Sequence, residues 1–326
     1  MKCLTTLILL GLAAISSTAK SQTNAANAYP NKPIRLVLGY APGGVADITA
    51  RMVAQKLSLS LGQQVIVDNK PSAGGIVAGE TVAKADPDGY TLLYLNYGNA
   101  VSAAMFRSLP YDIQKDFQPI SAVGFFDVLM LVDKSSDITG VQDFITKARA
   151  NPDKYNIGTV SIGSGQHMAA SLFKSVAGLQ ATTIVPYKTT PSLMLALKGK
   201  DVQVAFEIIS PSLQLIRSGE IKALAVSSTR RSRSLDGVPT LAESGVRGYD
   251  VTAWNGIAAP AKTPKAIIDK LNKEINAVLA LPDVKAKFQE SGIDSRGGSP
   301  EDLAQILSSE IAKWNKLVVD MKIERQ

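Results

Sequence analysis

The chain has 326 residues, 45% of them hydrophobic, with 35 Lys and Arg against 28 Asp and Glu and a net charge of +7. That length is enough for two domains. One cysteine and one histidine exclude a disulfide framework and argue against a histidine metal site.

The first stretch, "MKCLTTLILLGLAAISSTAKSQTNAANA", opens with one basic residue, Lys2, followed by an apolar run from Leu7 to Ile15 and a small, polar tail. This order reads as a secretory signal peptide over residues 1–28, cleaved after Ala26-Asn27-Ala28, with Ser17-Thr18-Ala19 as a second candidate site. The apolar run is short for a membrane span. Its removal takes away Cys3, Lys2 and Lys20 and no acid. The expected location is the periplasm. Export leaves little room for a nucleic-acid partner, and "TRRSRS" (229–234) lacks interleaved aromatics, so it reads as a solvated loop.

From Ile34 onward, strand-like runs alternate with helical ones. Strands are expected over 34–39, 65–67 and 91–95, with helices over 47–61 and from Gly75 to about Lys84. This is the grammar of a parallel sheet with right-handed crossovers. A second round has strands near 126–132, 156–160, 184–187, 202–206 and 223–227, and helices over 141–150, 192–197 and 211–218. Thr263 and Ser299, each followed by a proline, read as helix caps, and long helices with a single apolar stripe follow them. They need a sheet to cover, and the N-terminal one is the candidate. The fold class is therefore α/β: residues 29–126 with 229–326 form a discontinuous first domain, and 127–228 form a second domain inserted by two crossings. Such a pair can hinge about a cleft.

Two glycine pairs, Gly43-Gly44 and Gly74-Gly75, follow consecutive strands. "GYAPGGVADITAR" (39–51) is neither a phosphate loop nor a dinucleotide fingerprint. Read alone, it is either a turn with Asp47 capping a helix, or a set of amides that hold an anion.

Several stretches together resemble the substrate-binding proteins of tripartite tricarboxylate transporters, also called Bug proteins. They include "YPNKPIRLVLGYAPGGVADITARMVAQKL", "ADPDGYTLL", "LPYDIQKDFQPIS", "GSGQHMAASLFK", "VPYK" and "GVPTLAESGVRGYDV", in the same order along the chain. The resemblance implies a type II periplasmic binding protein fold with two lobes, a cleft that closes on an organic carboxylate, no catalysis and no cofactor. It also implies a two-subunit membrane permease as partner, and the chain itself is expected to be a monomer. It places Tyr40, Ala41, Pro42, Gly43, Gly44 and Asp47 on one side of the cleft, and Ser161, Gly163, Ser164 and His167 on the other. Asn96, Tyr97 and Asn99 would form a wall. Thr189 and Thr190 stand where the family commonly has two glycines, and Tyr97 replaces a small polar residue. Both departures bear on which carboxylate fits.

In this reading Asp47 shapes the loop and does not touch the ligand, because like charges repel. Glu207 is either an exposed strand-end acid or a cleft residue able to meet an ammonium. Lys188 is a solvated lysine or a partner for a second carboxylate. Ser164 and His167 raise the alternative of an exported serine hydrolase, but a third partner and a G-x-S-x-G elbow are missing. A ligand-sensing subunit for a membrane receptor would use the same cleft.

Overall fold

The computed structural model describes residues 29–162, 164–320 and 322–325; the expected signal peptide and Gly163 lie outside the described residues. The first three strands, β1 (Ile34–Leu38), β2 (Val65–Asn69) and β3 (Thr91–Asn96), are parallel, with β1 central. Leu36, Val37 and Leu38 are fully buried, as expected for strands covered on both faces. The crossovers are α1 (Val45–Leu61) and α2 (Ile76–Ala83), and α3 (Tyr97–Met105) follows β3 directly.

Next comes β4 (Phe117–Asp133), a strand of 17 residues. Its first part, to Asp127, pairs antiparallel with β9 (Thr252–Pro260), and β10 (Ile293–Ser295) lies along its other edge. From Val128 the partners change to β7 (Val204–Ile208) and β8 (Ile221–Val226). Parallel pairing then carries the second sheet through β5 (Ile157–Val160) to β6 (Ile184–Tyr187). The second lobe's helices are α4 (Val141–Ala150), α5 (Gly165–Val176), α6 (Thr190–Gly199) and α7 (Ile209–Arg217). The strand order β2-β1-β3-β9-β4-β7-β5-β6 thus runs through both lobes, with β4 in common.

The long helices α8 (Lys265–Ala280) and α10 (Pro300–Asp320) pack against β4, α8 also on α1 and α10 on α3; α9 (Pro282–Glu290) lies between them in the chain. Ile267, Ile268, Leu271 and Ile275 of α8, with Leu303, Leu307 and Trp314 of α10, form the buried stripes. Ser299 and Asp302 cap α10 reciprocally: the Ser299 hydroxyl accepts from the Asp302 amide at 3.1 Å and the Asp302 carboxylate from the Ser299 amide at 2.8 Å. Thr263 does not cap α8; its hydroxyl donates to the Pro260 carbonyl.

Both crossings between the lobes meet at Ser227. Its hydroxyl accepts from the Val128 amide at 2.9 Å and donates to the Val251 carbonyl, and its own carbonyl accepts from the Val251 amide. Part of the segment expected in the first domain makes hydrogen bonds to residues 127–228. Leu241 bonds to Val226, Gln142 reaches the Ser244 carbonyl, and the Tyr249 hydroxyl donates to Ala169 of α5 at 2.9 Å.

Candidate functional site

In open α/β sheets the helices that follow parallel strands point their amino ends to one edge. Here α1 and α3 follow β1 and β3, and α5, α6 and α7 follow β5, β6 and β7, so each group opens at the carboxyl edge of its own lobe's parallel strands. Each amino end leaves amides unpaired and carries a partial positive charge.

The β1–α1 loop is held from beneath by Asp47. This residue is buried, in the first turn of α1, and is not its cap: Gly44 occupies that place and offers no side chain. Asp47 Oδ2 accepts from the Gly43 amide at 2.9 Å and from Arg51 Nε at 3.0 Å. Oδ1 accepts from Asn69 Nδ2 and from Arg51 Nη2, both at 2.9 Å. Asn69 Nδ2 also donates to the Tyr40 carbonyl at 3.0 Å. Gly43 sits at φ +86°, a conformation that favours glycine. Burial alone would raise the Asp47 pKa. The hydrogen bonds from Arg51, Gly43 and Asn69, with the Arg51 charge, outweigh it and hold the carboxylate below its ordinary value. The acid therefore faces inward and the amides that open α1 are left without a capping acceptor.

Tyr40 joins this loop to α3. Its hydroxyl donates to Asn96 Oδ1 at 3.0 Å, the same oxygen that accepts from the Gly98 amide at 2.8 Å. Asn99 Oδ1 accepts from the Asn96 amide at 2.9 Å, completing a capping box.

Tyr97, the first residue of α3, spans the lobes. Its ring stands edge-on to Phe126, with centroids 6.2 Å apart, and packs on Gly165 at the start of α5; a Cβ there would lie 1.7 Å from the ring. The Tyr97 hydroxyl donates to Gln166 Oε1 at 3.1 Å. Burial pushes that hydroxyl well above the usual tyrosine value, so it stays a neutral donor. Gln166 Nε2 in turn donates to Glu207 Oε1 at 2.7 Å, and Thr190 donates to Glu207 Oε2 at 2.7 Å. Glu207 also accepts from the Ile208 amide at 2.8 Å and is fully buried. Burial raises its pKa against the three donors. The acid lies within β7, and both its oxygens are engaged.

Ser164 caps α5: its hydroxyl accepts from the His167 amide at 3.1 Å and donates to the Val160 carbonyl at 2.6 Å. The His167 imidazole takes no part in this, and its Nδ1 is buried without a partner. Burial lowers its pKa, so the ring is neutral near pH 7 and brings no cation. Ser161, at φ +26°, donates its amide to the Tyr187 carbonyl at 2.8 Å. Thr189 caps α6 in a box with Ser192. Lys188 is exposed.

The residues read from the sequence thus fall into two groups. Tyr40, Gly43, Asp47, Asn96, Tyr97, Asn99, Thr190 and Glu207 belong to chains of hydrogen bonds that run from the first loop toward β7. Ala41, Pro42, Gly44, Ser161, Ser164, His167 and Thr189 sit at loops and helix starts, outside those chains. Sequence reasoning did not find Asn69, Arg51 or Gln166, which join the others. Asn69 stands opposite Leu38 in the β1–β2 ladder, and only that register brings it under the loop. Among the described residues no group of three His, Cys, Asp or Glu could hold a metal ion, and no helix is long and apolar enough to cross a membrane.

Residues 49–323 match the family described as the tripartite tricarboxylate transporter family receptor. Protein BugT of Bordetella pertussis is 32% identical over 295 residues, 90% of each chain. Among solved structures, R. palustris Rpa4515 with adipate is 33% identical, with a TM-score of 0.82 over 91% of this chain and 100% of that one. The periplasmic binding protein BugD is 31% identical, with a TM-score of 0.79 over the same shares. The chain belongs to the tripartite tricarboxylate transporter receptor family and has its two-lobed binding-protein fold.

Proposed function

We propose that this protein captures a small organic carboxylate between its lobes and delivers it to a two-subunit membrane permease, without chemical change. One observation carries this reading. The amides that open α1 have no side-chain cap, and the nearest acid is turned away from them into four hydrogen bonds. A carboxylate would complete what the helix lacks. The amino end of α5, beyond the Tyr97–Gln166 contact, would meet the same ligand from the other lobe, so that binding favours closure. Ser164 is committed to a helix cap and is not activated by His167, which speaks against hydrolysis. The protein works in the periplasm as a monomer once residues 1–28 are removed, and its lobes divide near residue 127 and again near 251.

The ligand's second end meets Thr189, Thr190 and the buried Glu207. With Glu207 closed off by Gln166 and Thr190, that end presents the hydroxyls of Thr189 and Thr190, and among the described residues no hydrogen bond or ion pair holds the exposed Lys188 beside them. Those hydroxyls suit a monocarboxylate or an amide- or hydroxyl-bearing acid better than a plain dicarboxylate such as the adipate bound by Rpa4515. A thermal-shift screen of mono- and dicarboxylates, amino acids and aromatic acids tests this. A ligand at about 100 times its Kd adds about 2.7 kcal/mol of stability. The absence of a shift with every carboxylate, or turnover of the ligand recovered from the complex, would refute the reading.

A further inference from the structure

A cavity of about 510 Å³ opens where the two crossings meet, and of the carboxylate site's surroundings it shares only Phe126, the ring beside Tyr97. That volume is in the range of small-molecule sites. Its walls are Phe125–Asp127 of β4, the loop 228–234, α9 and the segment around β10. Five cations line it from three separate parts of the chain: Arg230, Arg231, Arg233, Lys285 and Arg296, against two acids, Asp127 and Asp294. The run "TRRSRS", a solvated loop by sequence alone, is therefore one wall of a concave basic site.

Two of the cations are fixed in place. Arg231 Nε donates to both oxygens of Glu243, at 2.9 and 3.2 Å, and the Arg296 guanidinium lies 3.9 Å from the centre of the Phe125 ring. Stacking leaves the donor edge of Arg296 free. Arg230, Arg233 and Lys285 are exposed and form no ion pair among the described residues. Asp127 is buried, and Ser228 and Ser232 of the same loop oppose the effect of that burial on its carboxyl, so this acid serves the loop. Cations converging from three directions on one small space match an anion of two or more charges with several oxygens, and exceed what one carboxylate would neutralise.

We propose that this cavity is a second ligand site, separate from the carboxylate site, for a compact phosphate-bearing anion. Titration of the chain from Tyr29 onward with sodium pyrophosphate at low salt is expected to show binding. The Arg230→Gln/Arg233→Gln variant should bind at least tenfold more weakly while melting at the same temperature without ligand. Asp47→Ala should keep the wild-type pyrophosphate affinity, and Arg217→Gln/Lys222→Gln, which removes the same charge elsewhere, should bind as wild type does. Phosphatidylglycerol vesicles form the second arm: co-sedimentation lost in Arg230→Gln/Arg233→Gln, with no pyrophosphate binding, assigns the phosphate to a lipid headgroup. The proposal is overturned by absence of both, by binding that survives the Arg230/Arg233 change, or by equal loss in the Arg217/Lys222 or Asp47 variant.

Discussion

Gly165→Ala tests whether the lobes close on a ligand. The added Cβ would lie 1.7 Å from the Tyr97 ring, whereas carbon atoms need about 3.5–4.0 Å. The start of α5 must therefore retreat by about 2 Å from α3, and overpacking of this kind costs about 1–3 kcal/mol. If the contact forms only on closure, that cost falls on the bound state alone and weakens affinity about 5- to 150-fold. The ligand-free melting temperature should hold or rise slightly, because alanine favours a helix over glycine. Calorimetric titration with the best carboxylate from the screen, beside a melting curve without ligand, separates the two states. The partner substitution Tyr97→Ser removes the ring and with it the clash. Gly165→Ala should then cost almost nothing in the Tyr97→Ser background, a coupling visible in a double-mutant cycle. The reasoning is refuted if Gly165→Ala leaves affinity unchanged. It is equally refuted if the ligand-free protein melts several degrees lower, since 1 kcal/mol corresponds to about 2–4 °C in a chain of this order of size.

Asp47→Ala should weaken carboxylate binding at least tenfold and cost about 1–2 kcal/mol of ligand-free stability, the half-exposed Arg51 adding little; unchanged affinity in titration would show that the loop does not depend on this acid. Because the folded state holds Asp47 below its ordinary pKa, its stabilisation is present above the unfolded value and is lost as pH falls through the folded one, so wild type and Asp47→Ala should converge in acid urea melts. Glu207 carries the opposite sign: its pKa is raised by burial, so its share of stability falls as pH rises from the ordinary glutamate value through the raised one, and Glu207→Gln should flatten that slope in urea melts at stepped pH. Replacing Thr189 and Thr190 by glycines should reorder ligand preference in the thermal-shift screen while the lost cap costs only a few tenths of a kcal/mol; an identical ligand profile would place these residues away from the ligand.

Much of the architecture is legible in the sequence because it is written in local patterns. The strand at 184–187 and the helix at 141–150 stand where their apolar spacing and flanking breakers put them. β4 reads as seven residues and spans 17, because Pro119 and Gly124 look like breakers; the ladder absorbs them with register shifts at Pro119/Ser121 and Ala122/Gly124. β9 hides an Asn-Gly pair, a turn signal by sequence, inside a buried strand whose neighbours on both sides are antiparallel. Thr263 looked like a helix cap and is not, since its hydroxyl finds the Pro260 carbonyl first. The candidate site divides in the same way. The glycines and the nearby acid alone leave Asp47 as a helix cap or part of an anion loop; the family resemblance is what makes it a brace for the loop. Asn69 and Gln166 could not be found that way, because each acquires its partners only when separate strands or lobes are brought side by side; Arg51 stands one helical turn from Asp47, a pairing that spacing alone allows.

A strand belonging to two sheets has a mechanical meaning. If the lobes rotate about the crossings, β4 is a torsion bar, clamped by β9 and β10 up to Asp127 and by β7 and β8 from Val128 onward. The compliant length is then the single peptide link between the clamps. Ser227 ties its far side to the returning chain at Val251, so the two links twist in parallel. Rotation about such an axis preserves the internal geometry of both lobes, and the loop around Asp47 travels as a finished part.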